Sequence, residues 1–346
     1  MKETCIFFQA PAELSYVIQL YDEYKDKAKI TIVVVNVYSN YEFIKSLNLT
    51  GATIFFCETP VIKRNILTIP SIRKSIGYFG ELHFASFTEG DVFFFSASFD
   101  WISAYFIKRF CSIKRIKVHY AGFNTTEIVL KEAYKEGEIN KGLSLKNYIY
   151  ILLLKLITGI WFDFYKRFNC IAFPYFKYGI KHEPIQLRTD CIEPYKYEIP
   201  GNDYKNVLLF TTTWAYEGEE IKSLVDEKIC EIIKEIQNWG YRVVAKGHPR
   251  LGLAKNIEKI VDCVLPNHVP AEFIDVSRVK MIIGLNSAAI IHYAKYSNVE
   301  VVSLLKMLDG ISPRLVCDNI KLMQKMSGEK IKTPHSLQEF CTLIVN

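Results

Sequence analysis

Short apolar runs alternate with amphipathic stretches along both halves of the chain. In the first half, residues 6–9, 30–37, 52–57, 92–97 and 115–119 are dense in Val, Ile and Phe and predict β-strands. Residues 12–25, 41–47 and 101–110 lie between them and read as helices. The second half restarts the rhythm. Strands are predicted over 207–210, 242–245, 279–285 and 299–305, with helices over 219–239, 270–276 and 287–296. Strand–helix–strand repetition predicts parallel sheets covered on both faces. The stretch 192–206 carries Pro194, Pro200, Gly201 and several charges without apolar periodicity, and it reads as a linker. The expected fold class is α/β, with Rossmann-like domains over 1–195 and 205–346 facing each other across a cleft.

One segment departs from this rhythm. Residues 148–162 are almost wholly apolar, with Lys155 the single charge, and an aromatic and basic run follows to Phe168. The segment is shorter than the ~20 residues a spanning helix needs. A helix buried in the protein fits it, and so does a helix lying in a membrane interface. Segment 143–168 is therefore a candidate for peripheral attachment to the inner face of the cytoplasmic membrane.

Composition adds limits. A chain of 346 residues is long enough for two cores, and a charged fraction of 23% excludes wholesale disorder. The net charge of +6 is too mild and too dispersed to suggest a nucleic-acid partner, while an anionic substrate or lipid face fits it. Nine cysteines form no CxxC pair and sit mostly in apolar runs, as expected of free thiols in a reducing, cytoplasmic setting. The beginning of the chain is strand-like and lacks the long apolar stretch of a signal peptide.

Three loops carry the candidate chemistry, and all follow predicted strands of the second half. At the carboxyl edge of an open α/β sheet, where ligands bind, stands Lys246-Gly247-His248-Pro249-Arg250, suited to a phosphate. On what reads as a neighbouring strand end, Gly284-Leu285-Asn286-Ser287-Ala288 leads into a helix. Its first-turn amides and dipole favour an anion, and Asn286 or Ser287 can cap it. The third loop, 211–220, holds Thr212, Thr213, Glu217 and Glu219. Glu217 is the first choice for a general base and Glu219 an alternative, although acidic residues there also suit a helix start. His119, at the end of a first-half strand, is the other alternative. The remaining histidines show no metal-ligand spacing with each other or with Asp and Glu.

The His-Pro pair in a basic loop, followed by a small Ser-containing loop, resembles bacterial sialyltransferases and polysialyltransferases of the GT-B type. Order and spacing look most like glycosyltransferase family 52, over roughly 207–305. The resemblance implies that His248 contacts the phosphate of a CMP-sialic acid donor and that Asn286, Ser287 and Ala288 hold it from another side. It further implies inverting transfer to a galactoside-terminated capsule or lipooligosaccharide glycan, with neither cofactor nor metal. Two departures stand out. The family's catalytic Asp in the 211–220 loop is absent, leaving Glu217 or Glu219, and the family's Asp-Gly pair in the first half is replaced by His119-Tyr120-Ala121-Gly122. Transferases of other CMP-activated nonulosonates or Kdo need the same clamp. CDP-glycerol phosphotransferases pair a Lys-x-His-Pro loop with Asp-Tyr-Ser-Ser, where this chain has Leu285-Asn286-Ser287-Ala288. A non-catalytic partner in capsule assembly is the remaining alternative.

Overall fold

Parallel β-structure dominates because its strands are apolar on both faces and can be buried only beneath two layers of helix. The computed structural model describes residues 2–58, 69–95, 101–121, 137, 139–159, 161–165, 170–172, 178, 180, 185–201, 205–211, 219–248, 252–308 and 310–345. The chain divides into two units, Met1–Cys191 and Ile192–Asn346. Residues at the start of the stretch read as a linker belong to the second unit. There Tyr197 donates its N–H to Phe273 O (2.6 Å) and accepts from Asp275 N at its own carbonyl (2.9 Å).

In the first unit, strands β1 (Lys2–Phe8), β2 (Ala28–Val35), β3 (Ala52–Cys57), β4 (Gly90–Phe94) and β5 (Ile116–Tyr120) form one parallel sheet in the order β3-β2-β1-β4-β5. Helices α1 (Leu14–Tyr24), α2 (Tyr38–Ser46), α3 (Ile69–Phe84), α4 (Trp101–Cys111) and α5 (Leu145–Thr158) accompany it, and a short antiparallel pair, β6 (Asp163–Tyr165) and β7 (Cys170–Ala172), follows. The core is aromatic. Phe7 stacks on Phe94 at 4.8 Å between centroids and meets Phe106 at 5.0 Å, while Phe84 and Phe110 close the cluster from α3 and α4. Helix α3 escapes the periodicity argument, because its apolar residues are interrupted by Arg73, Lys74 and Gly77.

The second unit repeats the plan with one strand more. Its sheet runs β10 (Cys263–Val264), β9 (Arg242–Lys246), β8 (Asn206–Phe210), β11 (Val279–Gly284), β12 (Glu300–Ser303) and β13 (Ile331–Lys332), all paired in parallel. Numbered within the unit this order is 3-2-1-4-5-6, that of a doubly wound nucleotide-binding sheet. Its helices are α6 (Glu219–Asn238), α7 (Lys255–Glu258), α8 (Ala288–Tyr296), α9 (Pro313–Ser327) and α10 (Leu337–Val345). The expected helix over 270–276 is a single 3-10 turn, Ala271–Phe273, because Pro270 starts a turn that Ile274 leaves in extended conformation. The expected strand over 299–305 is confined to β12, and a 3-10 turn at Leu305–Met307 takes over.

Phe106 is fully buried and touches rings from β1, α3 and α4. Phe106→Ala should therefore cost the first unit about 3–5 kcal/mol, measured by chemical denaturation, with a loss under ~1 kcal/mol contradicting this core.

Candidate functional site

The hydrogen-bond register of the second sheet places the candidate loops. Phe210 on β8 pairs with Lys246 on β9 and with Gly284 on β11, and Gly284 in turn pairs with Ser303 on β12. One row of residues thus ends four strands, and the loops following Lys246, Phe210 and Gly284 all rise from it. The topological switch point falls between β8 and β11, the place at which open α/β sheets bind ligands. This corrects one expectation. The His248 loop and the Asn286–Ala288 loop do not stand on neighbouring strands, because β8 is threaded between them. Their strands are about 10 Å apart, two strand spacings.

The loop after β9 is pinned by its backbone. His248 N–H donates to Gly252 O (2.9 Å) and Gly252 N–H returns to His248 O (2.8 Å), an antiparallel bridge that closes the loop. A side chain at position 247 would place its Cβ 2.6 Å from the Gly252 carbonyl carbon, so only glycine lets the strands meet. The His248 side chain is half-buried at the mouth of this closure. Pro249 and Arg250 lie outside the described residues.

Lys246 has a different place. Its side chain is buried, and its ammonium donates to Asn267 O (3.2 Å) and Gly247 O (3.4 Å), tying the His248 loop to the segment before the Ala271 turn. Burial lowers its pKa to about 8, and the charge of nearby Glu272 opposes the shift. Glu272 is itself buried, which raises its pKa, and its Oε2 has no hydrogen-bond partner among the described residues. Lys246 and Glu272 are thus both buried and near enough for their charges to interact, without an ion pair between them among the described residues.

On the other side of β8, Ser287 caps α8 in extended conformation, and its Oγ accepts from Ala289 N (3.1 Å). The first turn of a helix has amides without intrahelical partners, and α8 presents them at the switch point. Gly284 keeps the approach low, since a Cβ there would meet Ile290 Cγ2 at 2.9 Å. Asn286 donates to Asn319 Oδ1 (3.2 Å), and Asn319 in turn donates to Leu315 O (2.8 Å). Asn319, on α9, is absent from the sequence-based site. Ser312-Pro313, a helix-start signal ahead of an amphipathic run, would have revealed the helix that carries it.

Of the candidate bases, Glu217 lies outside the described residues, as do Thr212 and Thr213, while Glu219 begins α6. Thr211, the last described residue before them, donates its N–H to Lys246 O (3.2 Å). His119 belongs to the first unit. Its ring lies flat on Phe93 at 4.6 Å, and its Nε2 donates to Asp91 Oδ1 at 2.7 Å. It therefore lies near the end of its strand, as expected, with its ring paired to a carboxylate of the neighbouring strand. No group of three or more His, Cys, Asp or Glu among the described residues is arranged to hold a metal ion.

No protein-family model matches the chain, and no curated protein matches it in sequence. Among solved structures, it is similar to the glycosyltransferase of kitacinnamycin, with a TM-score of 0.51 and 8% identity over 99% of this chain and 89% of that one. A sialyltransferase from Photobacterium damsela aligns over 96% of this chain and 81% of its own length, at 14% identity and a TM-score of 0.49. UDP-GlcNAc 2-epimerase from Neisseria meningitidis aligns over 100% and 98%, at 12% identity and a TM-score of 0.42. At such identities the likeness is one of fold.

The buried ammonium has a testable consequence. A cation whose pKa is lowered on folding binds its proton more weakly in the native state than in the unfolded one. Stability therefore rises with pH between about 8 and the ordinary lysine value. Relative to Lys246→Met, the wild-type chain should gain on the order of 1 kcal/mol between pH 8 and pH 10 in urea titrations. A pH-independent difference would show that the ammonium is not buried.

Proposed function

We propose that this chain is an inverting, metal-independent glycosyltransferase that moves sialic acid from CMP-sialic acid to a galactoside-terminated cell-surface glycan, working in the cytoplasm. The observation carrying this reading is the common row beneath the His248 loop and the α8 start, on either side of a switch point. In this reading one mononucleotide binds there, its phosphate meeting a helix N-terminus and an imidazole. The glycosyltransferase fold likeness over nearly the whole chain supports the reaction class. The resemblance of the His248 and Asn286–Ala288 loops to family 52 favours a CMP-linked sugar. Eight cysteines present as free thiols suit a reducing compartment.

In the proposed reaction, an acceptor hydroxyl oxygen attacks the anomeric carbon from the face opposite the nucleotide. The bond from that carbon to the phosphate oxygen breaks, and CMP leaves with the bonding electrons. Charge grows on the phosphate, where His248 and the first-turn amides of α8 stabilise it. Lys246 is assigned a supporting part, since its donors are directed to loop carbonyls and hold His248 in place. The acceptor proton passes to Glu217. We prefer it to His119, which belongs to the first unit, because Glu217 follows β8 in the chain, the strand between those that lead to His248 and Ser287. Glu219 is the alternative from the same loop.

His248→Ala should lower turnover of CMP-sialic acid by about a hundredfold or more, the size of losing one donor to a developing oxyanion. The stability of the chain should be preserved, because the loop is closed by backbone bonds. Near-wild-type turnover in a folded variant would remove His248 from the mechanism.

A further inference from the structure

Helix α5 is apolar on two opposite faces, of which one is buried among the described residues and the other is largely exposed. Ser144 caps its start by accepting from Asn147 N (3.2 Å), and Gly159 ends it in a left-handed conformation. At helical spacing, Asn147, Ile151 and Leu154 share one face, and α5 packs against α3 and α4. Ile151 and Leu154 are fully buried there. Leu145, Ile149, Leu152 and Leu156, at spacings of four, three and four residues, share the opposite face. Leu145 is 74% exposed, Ile149 48% and Leu156 75%, while Leu152 is half-buried.

The borders of this exposed stripe are also ordered. On one flank stand Lys146 and Tyr150, one turn apart. On the other stand Tyr148 and Lys155, with Lys155 Nζ over the Trp161 ring at 5.0 Å and Tyr148 edge-on to the same ring at 6.3 Å. The segment 139–159 contains Lys141, Lys146 and Lys155 and neither Asp nor Glu. Asp163, the next acid along the chain, is fully buried.

We infer that α5 lies in the plane of an anionic lipid surface, with Leu145, Ile149 and Leu156 entering the acyl boundary and Lys146 and Lys155 at headgroup level. The helix has 14 residues, about 21 Å at 1.5 Å each, too short to cross a bilayer. No helix among the described residues is long and apolar enough to do so. Lying flat, it buries one stripe while its lysines extend sideways to the phosphates and its Tyr and Trp rings occupy the interface. Lysine is depleted in protein–protein interfaces, so a stripe bordered by lysine on both flanks fits lipid better than a second protein. The lysines bordering the stripe favour anionic over zwitterionic headgroups. This inference does not depend on the donor or on any catalytic residue.

The test is flotation of the full chain with phosphatidylglycerol–phosphatidylcholine vesicles and with phosphatidylcholine vesicles alone. The wild-type chain should float with the anionic vesicles and release as salt rises. A Leu145→Gln, Ile149→Gln, Leu156→Gln variant should lose binding at least ~tenfold at an unchanged melting temperature, because these side chains are exposed. Lys146→Gln with Lys155→Gln should weaken binding to anionic vesicles and flatten its salt dependence, which keeps the test valid if the triple variant unfolds. Leu224→Gln, at an exposed leucine of α6, should leave binding unchanged. Absence of wild-type flotation, or a folded triple variant that binds as wild type, would overturn the inference. So would a wild-type dimer in light scattering that the triple variant dissociates without any vesicle binding.

Discussion

The parallel register that aligns Lys246, Phe210, Gly284 and Ser303 in one row is the constraint on which the second unit's site depends. Backbone hydrogen bonds fix that row, and a slip of one residue would turn alternate side chains to the wrong face of the sheet. The His248 loop and the start of α8 therefore leave the sheet from one row, on β9 and β11, with the central strand β8 between them. Small adjustments at the edge then refine the geometry. Gly247 permits the His248–Gly252 bridge, Gly284 lets the α8 start come close, and the Lys246 ammonium gathers two carbonyls under the loop.

The two Rossmann-like units share the order of their first five strands. In the first unit, the loop after β1 is occupied by the protein's own carboxylate. Glu13 Oε2 accepts from Gln9 N at 2.7 Å and from Ala10 N at 2.9 Å, and the side chain is buried. An anion has no reason to bind amides already given to a carboxylate. The matching loop of the second unit, after β8, lies outside the described residues beyond Thr211.

Continuous Val, Ile and Phe runs revealed the five strands of the first sheet and four of the six in the second, while the two-residue edge strands β10 and β13 are too short to show such a run. Of the two cap candidates, Ser287 is the one used. The strand order was beyond the sequence, because neither periodicity nor spacing tells that β8 lies between β9 and β11. Side-chain destinations were equally hidden. Lys246 looks like a surface cation next to His248, yet it is the last residue of a buried strand and its ammonium turns inward. His119 looks like a free imidazole at a strand end, but Asp91 lies two positions along the neighbouring strand from its register partner Phe93. Segment 143–168 announced an unusual helix without deciding which face was buried. The exposures of Leu145, Ile149 and Leu156 decide it.

The central claim is that a CMP-type mononucleotide sits between the His248 loop and the start of α8. Hydrogen exchange of the full chain, followed by mass spectrometry with and without CMP, tests it most directly. The account predicts slowed exchange in peptides covering 247–253 and 284–292, a smaller effect with UDP, and no change around Gln9–Glu13. Protection by CMP confined to the first unit, or stronger protection of 284–292 by UDP than by CMP, would contradict it.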